Sequence, residues 1–164
     1  MSVRILGLLH TGRSHCDRFD ALLRELAPPD VTWTEIVRED LLRAAMDGAP
    51  EQQQVAAITG AMTDLRDQGA AHILCTCSSI GRLAEMIGAE LEVPTLRVDR
   101  PMAECAVAAG GRVLLVACVA STVAPTTELL RACADAAGRE VAVETLLLPD
   151  AWRRFEQGDE PAFH

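Results

Sequence analysis

The most constraining feature of this sequence is the alternation of short apolar runs with segments of helical periodicity. Three such runs are "VRILGLLH" (3–10), "VTWTEIV" (31–37) and "HILCTC" (72–77). Their length and composition are typical of strands in a parallel sheet. Helical segments lie between them, and the first of these, "CDRFDALLRELA" (16–27), stops before a Pro-Pro pair. Strands that alternate with helices predict an α/β fold with parallel sheets and flanking helices.

The same pattern restarts after residue 110. An apolar run "RVLLVACVA" (112–120) precedes a helical segment and a further strand, "EVAVETLLL" (140–148). We therefore predict two similar lobes, residues 1–98 and residues 99–164. The second lobe supplies two clear strands, whereas a complete lobe needs another crossover unit of roughly 30 residues. We expect this lobe to be truncated, with an exposed sheet edge and an exposed apolar helix face that favour a homo-oligomer.

Composition excludes several classes of protein. The 164 residues are 49% hydrophobic and carry a net charge of -9, which disfavours binding to nucleic acid. No apolar segment is long enough to span a membrane, and the N-terminus lacks the pattern of a signal peptide. Six cysteines in a chain with ample core material indicate a reducing compartment rather than a disulfide framework. The expected location is the cytoplasm.

Polar segments follow three of the predicted strands: "LLHTGRS", "CTCSSIG" and "CVASTVAPT". In an open parallel sheet, ligands bind beyond the carboxyl ends of the strands. Hydroxyl groups and helix N-terminal N–H groups at these ends suit an anion, so a small carboxylate is a reasonable ligand. His10 and Thr11 are the candidates in the first segment. Ser and Thr are also the usual structural caps of helices, and that alternative stays open.

Cys75 and Cys77 share one face of the third predicted strand. A zinc site would recruit His72, or His10 and Cys16, but the paired spacing of structural zinc sites is absent, so no metal is predicted. A redox pair would need Cys-x-x-Cys, which is also absent. The following helix is predicted over "GRLAEMIGAEL" (81–91). Cys77 is nearest to its start, where the helix dipole stabilises a thiolate. On residue chemistry alone, Cys77 fits a buried inert residue as well as a reactive thiol.

The other cysteines and histidines are assigned plain structural roles at this point. Cys16 lies in a helical pattern and is predicted to be a small packing residue, and Cys118 is placed in a buried strand. His15 and His164 are interpreted as solvent-exposed or capping residues.

Several segments taken together resemble the aspartate/glutamate/hydantoin racemase superfamily. They are "ILGLLHT", "ILCTCSSIG", "VPTLRVDRPMAECAVAAGGRVLLVA", "STVAPTTELL" and "GDEPAFH". The most similar branch carries a Cys-Ser-Ser/Thr-Gly type motif. The resemblance runs from the first strand to the last residue, and the specificity comes from the order and spacing of the segments.

The resemblance implies a cofactor-independent racemase or isomerase with its active site between two lobes, acting on a small carboxylate. Cys77 matches the first-lobe thiol that removes the proton alpha to the carboxylate. Ser78 and Ser79 match its carboxylate-binding neighbours, and Ser121 and Thr122 match the hydroxyls of the second lobe. The second thiol of a typical racemase would lie past residue 164. The alternatives are a single-thiol decarboxylase or lyase, and a catalytically incompetent chain that binds ligands or dimerises.

Overall fold

The computed structural model describes residues 4–158. Contacts between Cα atoms divide the chain into two compact units, Met1–Val98 and Asp99–His164, called unit one and unit two below. Both units combine parallel strands with helices, which confirms the predicted α/β class. The outer ends of the two predicted lobes, the segment "GDEPAFH" beyond Gly158, and His164 lie outside the described residues.

Unit one is a four-stranded parallel sheet with the strand order β2-β1-β3-β4. Its elements are β1 (Arg4–His10), α1 (Ser14–Leu26), β2 (Val31–Val37), α2 (Glu39–Met46), α3 (Glu51–Asp67), β3 (Ala70–Cys75), α4 (Ser78–Glu90) and β4 (Thr95–Arg97). Hydrogen bonds tie β1 to both β2 and β3, so the first strand of the chain is central in the sheet.

The core of unit one lies between the sheet and helices α2, α3 and α4. Helices α3 and α4 each present a buried apolar stripe with the i, i+3, i+4, i+7 spacing of one helix face. Burial of this stripe against β1 and β3 removes it from water, which is the main stabilising contribution to such a layer. The stripe residues are Ile58, Ala61, Met62 and Leu65 on α3, and Ile80, Leu83, Ala84 and Ile87 on α4.

Helix α1 packs on the opposite face of the sheet. Leu9 belongs to the core beneath α3 and α4, whereas the ring of the next residue, His10, contacts Phe19 of α1 with 5.5 Å between ring centroids. Successive strand residues point to opposite faces, so α1 and α4 lie on different sides. No residue of α1 is buried, and Leu26 is 70% exposed. This helix is held to the sheet by few apolar contacts.

Unit two is a smaller α/β unit with a two-stranded parallel sheet, β5 paired with β6. Its elements are α5 (Arg100–Ala109), β5 (Gly111–Ala117), α6 (Ala120–Ala137), β6 (Val141–Leu147) and α7 (Pro149–Glu156). Helices α5 and α6 cover one face of the sheet. On the other face Leu114, Val116 and Leu146 are 60%, 53% and 45% exposed. The exposed apolar surface is therefore mainly a sheet face rather than the helix face that the sequence suggested.

Several element boundaries differ from the sequence expectation, and β3 ends at Cys75, so Cys77 lies past the strand rather than on one face of it with Cys75. Helix α4 begins at Ser78 rather than at Gly81, because Cys77 is the extended residue at its N-terminus. Strand β5 ends at Ala117, which places Cys118 in the loop that follows rather than in a buried strand. Within residues 4–158, no helix has both the length and the apolar character needed to cross a membrane.

Candidate active site

The crevice between the carboxyl ends of β1 and β3 is where the topology of unit one favours a ligand. β1 and β3 are neighbours, and the chain leaves β1 toward α1 on one face and leaves β3 toward α4 on the other. Strand ends whose following helices diverge in this way form a topological switch point, the usual ligand site of open α/β sheets. His10 and Thr11 stand at one side of this crevice, and Cys77 at the other.

Cys77 is the N-cap residue of α4. Its backbone is extended, with φ -126° and ψ 118°, and the residue is 8% exposed. Ser78 and Ser79 form the first turn of the helix, where the backbone N–H groups have no intrahelical acceptor. The Cys75 thiol donates a hydrogen bond to the Cys77 carbonyl oxygen at 3.6 Å. The predicted thiol therefore sits at the positive end of a helix dipole.

A buried arginine supports this helix start. Arg97, at the end of β4, is 2% exposed, and its Nη2 donates a hydrogen bond to the Ser78 carbonyl oxygen at 3.2 Å. Gly81 lets the helix approach, because a Cβ atom at this position would lie 2.8 Å from Arg97 Nε. Arg97 was not singled out from the sequence, since a short strand ending in arginine carries no motif.

Thr76, the residue before Cys77, links the two sides of the crevice. Its backbone N–H and its hydroxyl both donate to the Leu9 carbonyl oxygen, at 3.0 and 3.2 Å. Its Oγ1 lies 2.8 Å from His10 Nδ1 and 3.3 Å from His15 Nδ1. With the hydroxyl proton directed to Leu9, the oxygen accepts from both imidazoles in their Nδ1–H tautomers. The loop that carries Cys77 is thereby fixed to the end of β1.

Both histidines are held in the neutral form. Burial lowers the pKa of His10, and the nearby His15 lowers it further, while Glu35 partly offsets the effect. Burial also lowers the pKa of His15, with a further contribution from Arg18. The interpretation of His15 as a solvent-exposed or capping residue is wrong, because its ring contacts His10 with 6.0 Å between centroids.

Two polar atoms at the end of β1 are buried without a hydrogen-bond partner among the described residues. They are His10 Nε2 and Thr11 Oγ1. Such atoms are rare in folded proteins, and each calls for an explanation such as a bound ligand, water or ion. Both atoms lie at the end of β1, and the contact of these two residues with a ligand stays a prediction.

Cys16 is more than the small packing residue that the sequence suggested. It is half-buried on α1, close to Glu35 of β2 and to His10. Burial raises the pKa of the Cys16 thiol, and the Glu35 carboxylate raises it further. No sequence spacing connects these residues, because three different elements bring them together.

Ser121 and Thr122, the predicted binding residues of unit two, lie in the first turn of α6 and are half-buried. Val119 is the N-cap residue of that helix. The zinc alternative with His72, Cys75 and Cys77 is not formed among residues 4–158, where the group with metal-ligand spacing is His10, Cys16 and Glu35. His72 is exposed on β3.

The fold is an open α/β sheet with a topological switch point, a class of fold in which ligands usually bind at the strand ends. The sequence profile of the Asp/Glu/Hydantoin racemase family matches residues 5–160, and the chain belongs to this family. A solved structure that it resembles is that of a candidate Asp/Glu racemase from Yersinia pestis, with a TM-score of 0.63 and 16% identity. The match covers 86% of this chain and 64% of that protein, so this chain spans less than two thirds of its length. The comparison with curated proteins gives no match.

Proposed function

We propose that this chain carries the acid/base thiol of a cofactor-independent racemase or isomerase that acts on a small carboxylate. The observation that carries the proposal is the position of Cys77. It is the N-cap residue of α4 at the β1/β3 switch point, in a chain that belongs to the racemase family. A thiol in this place combines a nucleophilic atom with the anion-stabilising end of a helix.

In the proposed reaction, the Cys77 thiolate takes the alpha proton of the substrate. The C–H bond breaks and its electron pair moves into the carboxylate, which becomes an enolate with additional negative charge. Backbone N–H groups of the first turn of α4, with the hydroxyls of Ser78 and Ser79, are placed to donate to that charge. The buried Thr11 hydroxyl supplies a further donor at the other side of the crevice. A solvent water delivers a proton to the opposite face of the carbon, and the resulting hydroxide takes the proton from the Cys77 thiol, which completes the inversion and restores the thiolate.

Independence from pyridoxal phosphate is supported by composition. That cofactor is held in enzymes as a Schiff base with a lysine. All 15 basic residues of this chain are arginine, so none of the 164 residues can form such a bond. Acid/base chemistry by side chains labilises an alpha proton without that cofactor.

The test is exchange of the alpha proton in deuterated solvent, followed by NMR with aspartate, glutamate and a 5-substituted hydantoin as substrates. Replacement of Cys77 by Ser is expected to lower the exchange rate by at least about 100-fold, the typical contribution of general acid/base catalysis. Cys118→Ser is the matched control, because it removes a thiol from the corresponding loop of unit two and should leave exchange unchanged. Unaltered exchange in Cys77→Ser would contradict the assignment.

A single-thiol decarboxylase or lyase is the second candidate. It needs one thiol only, and the N-cap position of α6 that corresponds to Cys77 of α4 carries Val119, which has no proton to transfer. In this reaction the thiol protonates the carbanion left when carbon dioxide departs. Release of carbon dioxide from a substituted malonate, without alpha-proton exchange in amino acids, would identify it. Thermal stabilisation by carboxylates without any turnover would instead indicate a ligand-binding chain.

We also propose that the chain self-associates through unit two. Leu114, Val116 and Leu146 expose a contiguous apolar strip on a two-stranded sheet, and surfaces of this kind are commonly covered by a partner. Sedimentation should give an oligomer for the unaltered chain and a smaller species for the Leu114→Glu, Val116→Glu double variant. A concentration-independent monomer would refute the proposal.

A further inference from the structure

Three side chains from three elements of unit one converge beneath α1. They are His10 from β1, Cys16 from α1 and Glu35 from β2, and their ligand atoms all lie within 4.8 Å of one another. His10 Nε2 and Glu35 Oε2 are 3.6 Å apart. Nitrogen, sulfur and oxygen ligands around one cation at bond lengths of 2.0–2.3 Å are separated from each other by about 3.3–3.8 Å. The cluster therefore needs only a small contraction to surround a metal ion.

The hydrogen bond between His10 Nδ1 and Thr76 Oγ1 orients the imidazole ring so that Nε2 can act as a metal ligand. Nδ1 donates to Thr76 Oγ1 at 2.8 Å, because the hydroxyl proton of Thr76 is directed to the Leu9 carbonyl oxygen. With the ring proton on Nδ1, Nε2 carries a lone pair, and Glu35 Oε2 lies 3.6 Å from it. Among the described residues Nε2 has no hydrogen-bond partner. A cation between the two groups would bind the imidazole nitrogen and the carboxylate together.

We propose that His10 Nε2, Cys16 Sγ and the Glu35 carboxylate form a binding site for a divalent transition-metal ion of the zinc class. One nitrogen, one sulfur and one oxygen ligand suit a borderline-soft ion, and they disfavour calcium and magnesium, which prefer oxygen alone. Three protein ligands leave a fourth tetrahedral position for water or another small ligand. The site is separate from the Cys77 thiol and goes beyond the proposed racemase chemistry.

The surroundings of the cluster fit this assignment. Metal-binding histidines usually donate their second ring N–H to a hydrogen-bond acceptor, as His10 does to Thr76. His10 is fully buried, whereas the Glu35 side chain is 39% exposed, so the cluster has an entry path from solvent. The ion would also join α1, which has no buried residue, to two strands of the sheet. We therefore expect the metal to stabilise unit one by anchoring this helix.

Cobalt(II) titration of chelator-treated protein tests the site directly. We expect one equivalent to bind with a thiolate-to-cobalt charge-transfer absorption, and zinc to displace it. Cys16→Ser should abolish this absorption, and Cys16→Ser and Glu35→Gln should each weaken binding by more than the roughly 10–100-fold typical of losing an outer-shell partner. Cys77→Ser is the matched thiol control and should keep both absorption and affinity. Circular dichroism without metal establishes that each variant is folded.

Thermal unfolding gives an independent readout. With zinc at 100 times its dissociation constant, Tm should rise by roughly 5–10 °C in the unaltered protein and remain unchanged in Cys16→Ser. Absence of cobalt binding in the unaltered protein would overturn the proposal. So would an absorption band that persists in Cys16→Ser or disappears in Cys77→Ser, because the ion would then be bound elsewhere.

Discussion

β3 passes into α4 through Thr76 and Cys77, and β5 passes into α6 through Cys118 and Val119. The two N-cap residues have nearly the same backbone, with φ and ψ of -126° and 118° for Cys77 and of -116° and 123° for Val119. Both are 8% exposed, and neither forms a side-chain capping hydrogen bond. The same strand-to-helix backbone conformation thus occurs twice in the chain, with different side chains each time.

The difference lies in two side chains. At the first position of the junction, Thr76 is buried and reaches His10, His15 and the end of β1, whereas Cys118 is half-buried. At the second position a thiol in unit one is replaced by the aliphatic Val119 in unit two. A shared backbone conformation therefore does not imply a shared role, because the chemistry possible at each junction depends on its side chains.

The helices that follow also differ in how closely they approach the sheet. Gly88 brings α4 against the β4 end, since a Cβ atom there would lie 2.6 Å from Thr95 Cβ and 2.9 Å from the Val93 carbonyl oxygen. Helix α6 contains no glycine between Ala120 and Ala137 and has Pro125 in its interior. The α4 start that presents Cys77 is thus set by close packing at both ends of the helix.

The largest effect is expected from breaking that packing. Gly88→Ala should lower the free energy of unfolding by about 2–3 kcal/mol, because a backbone carbonyl and a short side chain must move to admit the methyl group. Gly60→Ala in α3 is the matched control. Nothing lies within 4 Å of its added Cβ, so the gain in helix propensity should stabilise the protein by about 0.5–1 kcal/mol. Urea unfolding of both variants measures the difference.

If Gly88→Ala proved as harmless as Gly60→Ala, the approach of α4 to β4 would be looser than the structure has it. The claim that close packing of α4 holds the Cys77 junction in place would then be wrong. The two junctions would differ in their side chains alone.

A smaller effect should come from the first junction position. Thr76→Val keeps the shape of the side chain but leaves the Nδ1–H groups of His10 and His15 without their acceptor. An unsatisfied buried polar group costs about 1–3 kcal/mol, so we expect a loss of about 2 kcal/mol. Cys118→Val in unit two should change stability by less than about 0.5 kcal/mol. Chemical unfolding followed by circular dichroism compares the pair, and equal losses would show that Thr76 is not a hydrogen-bonding hub.

The sequence was sufficient to predict the strand–helix alternation and the position of Cys77 at a strand end. Strand runs and helical stripes are local patterns, so "HILCTC" could be assigned from its own residues. The start of α4 was misplaced by three residues, because the glycine in "SSIG" suggested a turn, whereas Gly81 is a close-packing position against Arg97.

The polar cluster around His10 could not be predicted in the same way. His15 and Cys16 come from a helix, Glu35 from a strand and Thr76 from a loop, and no spacing in the sequence relates them. Their contacts depend on the register that pairs His10 with Val37 and Leu9 with Cys75. His15 in particular follows a turn and resembles an ordinary helix-start residue until the register is known.

The smallest expected effect comes from the N-cap position itself. Serine is a preferred N-cap residue and contributes about 0.5–2 kcal/mol relative to a residue that cannot cap. Cys77→Ser should therefore leave stability unchanged or raise it by up to about 1 kcal/mol, because little apolar surface is lost with the sulfur. Val119→Ser gains the same cap but loses a buried isopropyl group, whose transfer is worth about 1.5–3 kcal/mol, so it should be destabilising by about 1 kcal/mol.

A residue at this position can be kept for chemistry or for packing. Urea unfolding of Cys77→Ser and Val119→Ser, together with the exchange rate of Cys77→Ser, distinguishes these two reasons. A Cys77→Ser variant that is at least as stable but inactive would show that the thiol is retained for chemistry at a small cost in stability. A Cys77→Ser variant that loses as much stability as Val119→Ser would show that both junction residues serve packing. The proposed acid/base role of Cys77 would then lose its structural support.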